Sequence, residues 1–196
     1  MKQVSANHES AWIRRVVAIL ADQPAPDSEN ALQALRDRLV PLAWSDGCPR
    51  AAGFESERGP GRLRRHPLVL GEESGCSALV MIWPSGYSTL PHDHAGLWGI
   101  ELVVDGALEV DEFVRVGEPG RPALARTRSL YLGIGDAAVF SGDAYVHRCR
   151  NLSTTRCAVS LHVYGGTLHA YRSFQADTTG LYRPQFEIAS NDAALN

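Results

Sequence analysis

The amino-acid sequence predicts a mainly β fold, a double-sheet barrel of the jelly-roll kind preceded by short α-helices. Two observations carry this. The first part of the chain shows apolar residues at helical spacing, whereas from Leu68 onward Val, Ile, Tyr and Phe recur in short runs bounded by Gly, Pro, Asp and Asn. The short runs follow one another without intervening helical patterns, which excludes alternating βα units and favours a sandwich or barrel that covers its own edges.

The helical part is expected from about Glu9 to Ala43. Trp12, Ile13, Val16, Val17, Ile19 and Leu20 fall on one helical face, and Ser10 is placed to cap it. A break at Gln23 to Asp27 precedes a second periodic run through Leu32, Leu35, Leu39 and Leu42, with Ser28 or Asp27 as its cap. Residues 47–61 read as loop. Strands are expected near Ser77–Trp83, Ser88–His94, Trp98–Val104, Leu108–Val116, Ser129–Leu132, Ala137–Phe140, Tyr145–Arg150, Arg156–Tyr164, Leu168–Phe174 and Leu181–Ile188. Residues 1–60 thus form a helical segment that packs on a barrel domain of residues 61–196.

At 196 residues the chain can bury one good core. A net charge of −3 offers no field for nucleic acid or a membrane surface, so the expected partner is a small molecule. The cluster Arg62, Arg64 and Arg65 reads at first as a solvated edge. No apolar leader or membrane-spanning stretch is apparent, and the protein is expected in the cytoplasm. The four cysteines, Cys48, Cys76, Cys149 and Cys157, form no CxxC pair and are expected as free thiols.

The chemistry lies in the histidines. Gly86-Tyr-Ser-Thr-Leu-Pro-His92-Asp-His94 carries two imidazoles one residue apart, which on a strand point to the same face. His147 follows 53 residues after His94, in a segment that runs from Gly135 to Asn151. A strand–turn–strand there brings it across the barrel to the pair. The glycine, five residues and His-x-His, with Gly106 later, resemble the first sequence motif of the cupins. His147, with Asn151 four residues on, resembles the second. The resemblance implies a cupin barrel with His92, His94 and His147 as ligands of one metal. The first cupin motif normally adds a glutamate five residues after its second histidine, but Gly99 stands there. Glu101 has the strand parity to point inward and is an alternative fourth donor. Three imidazoles with open positions suit iron(II) that holds substrate and dioxygen together; zinc with a water accepts the same three.

Downstream, Ser160, His162 and Tyr164 alternate along one strand face and can form a hydrogen-bonded line ending in a phenol. With Pro91-His92-Asp93-His94, His147 and Ser160-Leu-His162-Val-Tyr164-Gly165, residues from about Arg62 to Phe174 resemble the thiol dioxygenases, the cysteine dioxygenase family of cupins. The resemblance implies insertion of both atoms of dioxygen into a thiol to give a sulfinate, with Fe(II) as cofactor and Tyr164 as the phenol beside it. Animal members join this tyrosine to a cysteine; the matching residue is Gly99, as in bacterial members. A thiol-carboxylate substrate (cysteine or a mercapto acid such as 3-mercaptopropionate) needs a cation. Arg64 and Arg65, before the His-x-His segment, and Arg172, after Tyr164-Gly165, are the candidates, and Trp98 also resembles the mercapto-acid branch. Two other readings stay open: a non-thiol metal enzyme on the same barrel, such as a C–C-cleaving dioxygenase or an isomerase, and a metal-binding cupin without turnover.

Overall fold

A computed structural model of the chain describes residues 10–22, 26–57, 61–70 and 75–195. The start of the first expected helix and part of the break at Gln23 to Asp27 lie outside these residues. Among the described residues two α-helices, α1 (Ala11–Ala21) and α2 (Glu29–Leu39), precede ten strands, and the double-sheet antiparallel architecture expected from the sequence is the one found. Ser10 Oγ accepts the Ile13 N–H and Ser28 Oγ the Ala31 N–H, so both helices start on a serine cap. Pro41 lacks the N–H an α-helix needs, and the chain tightens into a 3₁₀ turn over Val40–Trp44 where the sequence had suggested continuous helix.

The first sheet has the order β1-β2-β8-β3-β6, with β1 Arg64–Val69, β2 Ser77–Trp83, β3 Gly99–Asp105, β6 Ala137–Phe140 and β8 Ala158–Tyr164. Every residue of β2 and β8 is buried. Alternation explains how. Ala78, Val80, Ile82, Ile100, Leu102, Val104, Val159, Leu161 and Val163 form one core with Trp12, Ile13, Val16, Leu32, Leu35 and Leu39 of the helices. The opposite face of the same strands, with Leu79, Met81, Trp83, Val103 and Tyr164, lines the barrel. Each large apolar side chain so buried contributes about 1.5–3 kcal/mol. The helices therefore free one sheet face to carry polar groups inward.

The second sheet pairs β5 (Ala123–Leu132), β4 (Leu108–Val116) and β7 (Val146–Asn151) in the order β5-β4-β7, and β9 (Ala170–Ala176) pairs with β10 (Tyr182–Ile188) in a ribbon. The expected strand Ser88–His94 is not a regular strand. It joins β7 to β9 through isolated bridges, Ser88 to Arg150 and His92 to His147 and Ser173. Pro91 has no N–H for a ladder, Asp93 bonds side chain to backbone, and Ala95 turns the chain with φ +52°. Two further boundaries differ from expectation. Arg64–Val69 is a strand, paired with β2 from Arg64 opposite Ile82 onward, although its Arg-rich start reads as loop. The strand expected from Ser129 starts at Ala123, because β4 extends past the barrel and pairs with this polar stretch.

No helix among the described residues is long and apolar enough to cross a membrane. All four cysteines are free thiols. The buried Asn151 closes the turn after β7: its amide donates to the carbonyls of Trp83, Pro84 and Arg156 and its oxygen accepts the Ser153 N–H. Asn151→Ala leaves those carbonyls unpaired and is expected to cost about 1–3 kcal/mol, read as a lower midpoint in thermal unfolding of the metal-free protein. An unchanged midpoint would remove this role from the asparagine.

Candidate metal centre and pocket

The three histidines expected from the sequence come together inside the barrel mouth. One ring nitrogen from each of His92, His94 and His147 lies within 4.8 Å of the other two. His94 and His147 are buried and His92 half-buried. The main chain sets this geometry: His92 N donates to the His147 carbonyl at 2.8 Å, and His147 N returns the bond to His92 at 3.0 Å.

The hydrogen bonds assign the tautomers. His92 Nδ1 lies 2.9 Å from the Leu90 carbonyl, which only accepts, so Nδ1 carries the proton and Nε2 presents a lone pair. Tyr145 donates to Glu112 at 3.3 Å, and its oxygen takes the proton on His147 Nδ1, also at 3.3 Å. Arg128 holds the same Glu112. His147 Nε2 thus also presents a lone pair, 3.2 Å from His92 Nε2. Two lone pairs at this separation repel unless a cation lies between them. His94 Nδ1 is buried and has no hydrogen-bond partner. Burial, first of all, pushes the pKa of all three imidazoles below the usual value, which favours the neutral form that binds metals. This donor set fits a divalent transition metal.

Glycine at position 99 has a local reason. A Cβ there would lie 2.2 Å from Cζ of Phe140, whose ring fills that space, stacks on His94 at 4.4 Å and on Tyr145 at 4.5 Å. Glu101, on the same face, is 3 % exposed; its Oε1 is 3.5 Å from His147 Nε2 and 3.4 Å from His162 Nδ1. Burial pushes its carboxyl up to about 8.

The line along β8 is continuous. Trp83 donates its indole N–H to Ser160 Oγ at 2.7 Å, Ser160 Oγ lies 2.9 Å from His162 Nε2, and His162 Nδ1 lies 3.0 Å from the Tyr164 hydroxyl. Because Ser160 accepts from Trp83, its own proton goes to His162 Nε2. The imidazole proton is then on Nδ1 and donates to the Tyr164 oxygen. The phenol proton is left free to point at whatever enters the cavity. Burial holds His162 neutral, its pKa down to about 3, and raises that of Tyr164.

A cavity of about 270 Å³ opens onto this centre, lined by His92, His94, Glu101, His162, Tyr164 and, from β1, Arg65. Arg65 Nε is buried without a hydrogen-bond partner. Its main chain is strapped by the C-terminal segment: the Asp192 carboxylate accepts the Arg65 N–H, and Asp192 N donates to the Arg65 carbonyl. The other substrate candidates lie elsewhere. Arg64, one residue out of phase, turns to the opposite face and sits over the Phe54 ring at 5.7 Å. Arg172 pairs with Asp93 at 2.6 Å, outside the cavity, because β9 sends Tyr171 and Ser173 inward instead. Trp98 packs against the helix-covered core. Trp83, Tyr145, Phe140, Tyr171 and Glu187 were not singled out from the sequence. Only the pairing of distant strands reveals them.

The buried groups give the metal-free protein a characteristic pH response. Four imidazoles held below 6.5 mean that the unfolded chain binds more protons below that pH, so their contribution to stability falls as the pH drops through 6.5. Glu101 has the opposite sign: raised from 4.5, its contribution is full below 4.5 and is lost as the pH rises through about 8. Four groups outweigh one, so stability of the metal-free protein is expected to rise from pH 4.5 to 6.5 and decline gently above. Denaturant unfolding across this range checks it, and Glu101→Gln should abolish the decline. Tyr145→Phe removes the acceptor that fixes His147 and is expected to weaken metal binding by roughly 10-fold, measured by chelator competition.

Among solved structures the chain resembles an oxalate oxidase in complex with the substrate analogue glycolate (19% identity, TM-score 0.43, 56% of this chain and 53% of that one). It also resembles KdgF from Halomonas sp. (22%, 0.39, 54% and 81%) and a hydroquinone 1,2-dioxygenase in complex with Cd²⁺ and 4-hydroxybenzonitrile (14%, 0.43, 57% and 69%). The chain spans about half the length of the oxalate oxidase it matches. The family model of cysteine dioxygenase type I matches residues 62–177, more than half of the chain, including the three histidines, Arg65, Glu101 and the Ser160-His162-Tyr164 line. The chain therefore belongs to the cysteine dioxygenase type I family.

Proposed function

We propose that the protein is an iron(II)-dependent thiol dioxygenase that converts a small thiol-carboxylate to its sulfinate with dioxygen, with His92, His94 and His147 as the iron ligands. The observation that carries this reading is the unpartnered, buried Arg65 guanidinium nitrogen in the same small cavity as the three imidazoles and Tyr164. An unpaired buried donor on this half-buried cation is costly and is matched by a carboxylate, which a planar guanidinium binds through two bonds. The cavity lies at the lower edge of the size of small-molecule sites, which suits a substrate of a few heavy atoms.

Held by His92, His94 and His147, iron(II) would supply the redox chemistry that joins dioxygen to the thiol sulfur. The chain's own groups do the rest. Arg65 fixes the substrate carboxylate and so aims the sulfur toward the imidazoles. Tyr164 donates its free proton to an oxygen of the carboxylate or of the forming sulfinate, while Trp83, Ser160 and His162 hold its oxygen in place. Apolar Leu63, Met81, Leu90 and Leu168 line the remaining wall and limit water. The reaction balances without a reductant: both oxygen atoms end on sulfur, which is oxidised from thiol to sulfinic acid as dioxygen is reduced.

Oxygen uptake by iron-loaded protein with cysteine, 3-mercaptopropionate and mercaptosuccinate tests the reading; no uptake with any thiol would overturn it. Arg65→Gln is expected to raise KM for the thiol acid by roughly 10–100-fold, the loss of a charge-assisted pair, whereas Arg64→Gln leaves it within a factor of about two. Tyr164→Phe is expected to lower kcat roughly 100-fold with little change in KM. His147→Ala should no longer hold stoichiometric iron.

A further inference from the structure

We propose that Glu187 is a specificity-determining residue whose carboxylate excludes a second anionic group from the cavity, so that the site takes thiol acids with one carboxylate and rejects those with two. The substrate class rests on the thiol dioxygenase reading; the selection by charge does not need the thiol.

Glu187 lies on β10, beyond residue 177 where the family match ends, and the reaction described above does not use it. It stands opposite Tyr171 in the β9–β10 ribbon, and both line the cavity that holds Arg65, His92 and His94. Strand phase accounts for this placement. Tyr171 and Ser173 of β9 turn inward, and Glu187 shares their face of the ribbon, whereas Phe186 and Ile188 stay exposed on the other. The Tyr171 ring meets that of His92 edge-on at 5.6 Å, and the charges of Arg65 and Glu187 both act on its hydroxyl. The cation, the acid and an imidazole of the centre thus surround one tyrosine.

Two opposite charges in so small a space would pair if both side chains were free to move. No ion pair joins them, and each is held from its own side. The buried Ser173 donates its hydroxyl to Glu187 Oε1 at 2.9 Å, which keeps the carboxylate against β9. Arg65 is fixed on β1, where its main-chain N–H and carbonyl both bond to Asp192, and its Nε has no partner. The serine tether therefore leaves the guanidinium open to a substrate carboxylate. It also leaves Glu187 as an acid without a cation of its own at the cavity wall.

Charge then sorts the substrates. Among the described residues Arg65 is the one arginine or lysine that lines the cavity, so the wall can match a single carboxylate. A second carboxylate on the same short carbon chain finds no cation in the wall and meets Glu187 across a cavity of about 270 Å³. Placing a like charge where a competing ligand would put its own is a general way to reject it. 3-Mercaptopropionate and mercaptosuccinate differ by that one carboxyl group.

These two acids are compared on the iron(II)-loaded protein, first by titration calorimetry without oxygen and then by oxygen uptake. The wild-type protein is expected to bind 3-mercaptopropionate at least about 10-fold more tightly than mercaptosuccinate, and Glu187→Gln to shrink that ratio roughly 10-fold through tighter mercaptosuccinate binding. Because the readout is a ratio, a general loss of folded or metal-loaded protein leaves it unmoved. Should the glutamine variant not fold, Glu187→Ala removes the same charge and carries the same test. A ratio that is equal in wild type and variant would overturn the proposal, while oxygen uptake with either thiol would still support the thiol reading. Propionate and succinate, which lack the thiol, are expected to follow the same order of binding and the same response to Glu187→Gln. That response, together with no oxygen uptake from any thiol, would overturn the thiol reading and leave the selection by charge standing.

Discussion

The pocket depends on one reciprocal main-chain pair. His92 and His147 exchange N–H···O bonds at 2.8 and 3.0 Å, and this stitches an irregular segment to β7. On its other side the same segment bonds to β9, where Asp93 N donates to the Arg172 carbonyl and Phe174 N to that of Pro91. The second sheet is thereby continuous from β5 to β10 although regular pairing lapses in its middle. The lapse is useful. A regular strand would turn every other side chain inward at fixed spacing, whereas the bridged segment lets His92 and His94 approach His147 from different directions, with ring centroids 4.6 and 4.8 Å away.

That arrangement needs a rigid wall to close on, and the first sheet provides it. With one face of β2, β3 and β8 covered by α1 and α2, the apolar demand of the strands is met on the outside. The inner face can then present Glu101, Ser160, His162 and Tyr164 without emptying the core. Each polar atom there has a neighbour that satisfies or orients it, as buried polar groups require. The helices carry no chemistry themselves, yet they make the polar inner face affordable.

How much of this was legible in the sequence follows from which interactions are local. Helix caps and the shared faces of His147 with its partners and of Ser160, His162 and Tyr164 depend on residue types and spacings along the chain, and the structure brings these residues together as expected. Which arginine faces the cavity did not read, because it turns on strand phase within a segment whose Arg-rich composition resembles loop. Once Arg64–Val69 is known to pair with β2, Arg65 opposite Met81 faces the cavity and Arg64 opposite Ile82 faces away. Arg172 lies outside the cavity by the same logic on β9, where its neighbours Tyr171 and Ser173 take the inward positions. Trp83 and Tyr145 escaped notice because their partners, Ser160 and His147 with Glu112, are brought to them by pairing between strands.

Position 99 shows how such long-range packing changes the meaning of a local motif. Read along the chain, a glycine in place of the usual donor is a loss. In three dimensions it is the condition for Phe140 to lie flat against His94 and, with an interplanar angle of 2°, against Tyr145. Tyr145 in turn fixes the proton of His147. The missing side chain thus supports two of the three imidazoles through one ring. A carboxylate at 99 and this aromatic support cannot coexist. Glu101, one pleat further along β3 on the inner face, lies buried with Oε1 3.5 Å from His147 Nε2 and leaves Phe140 in place.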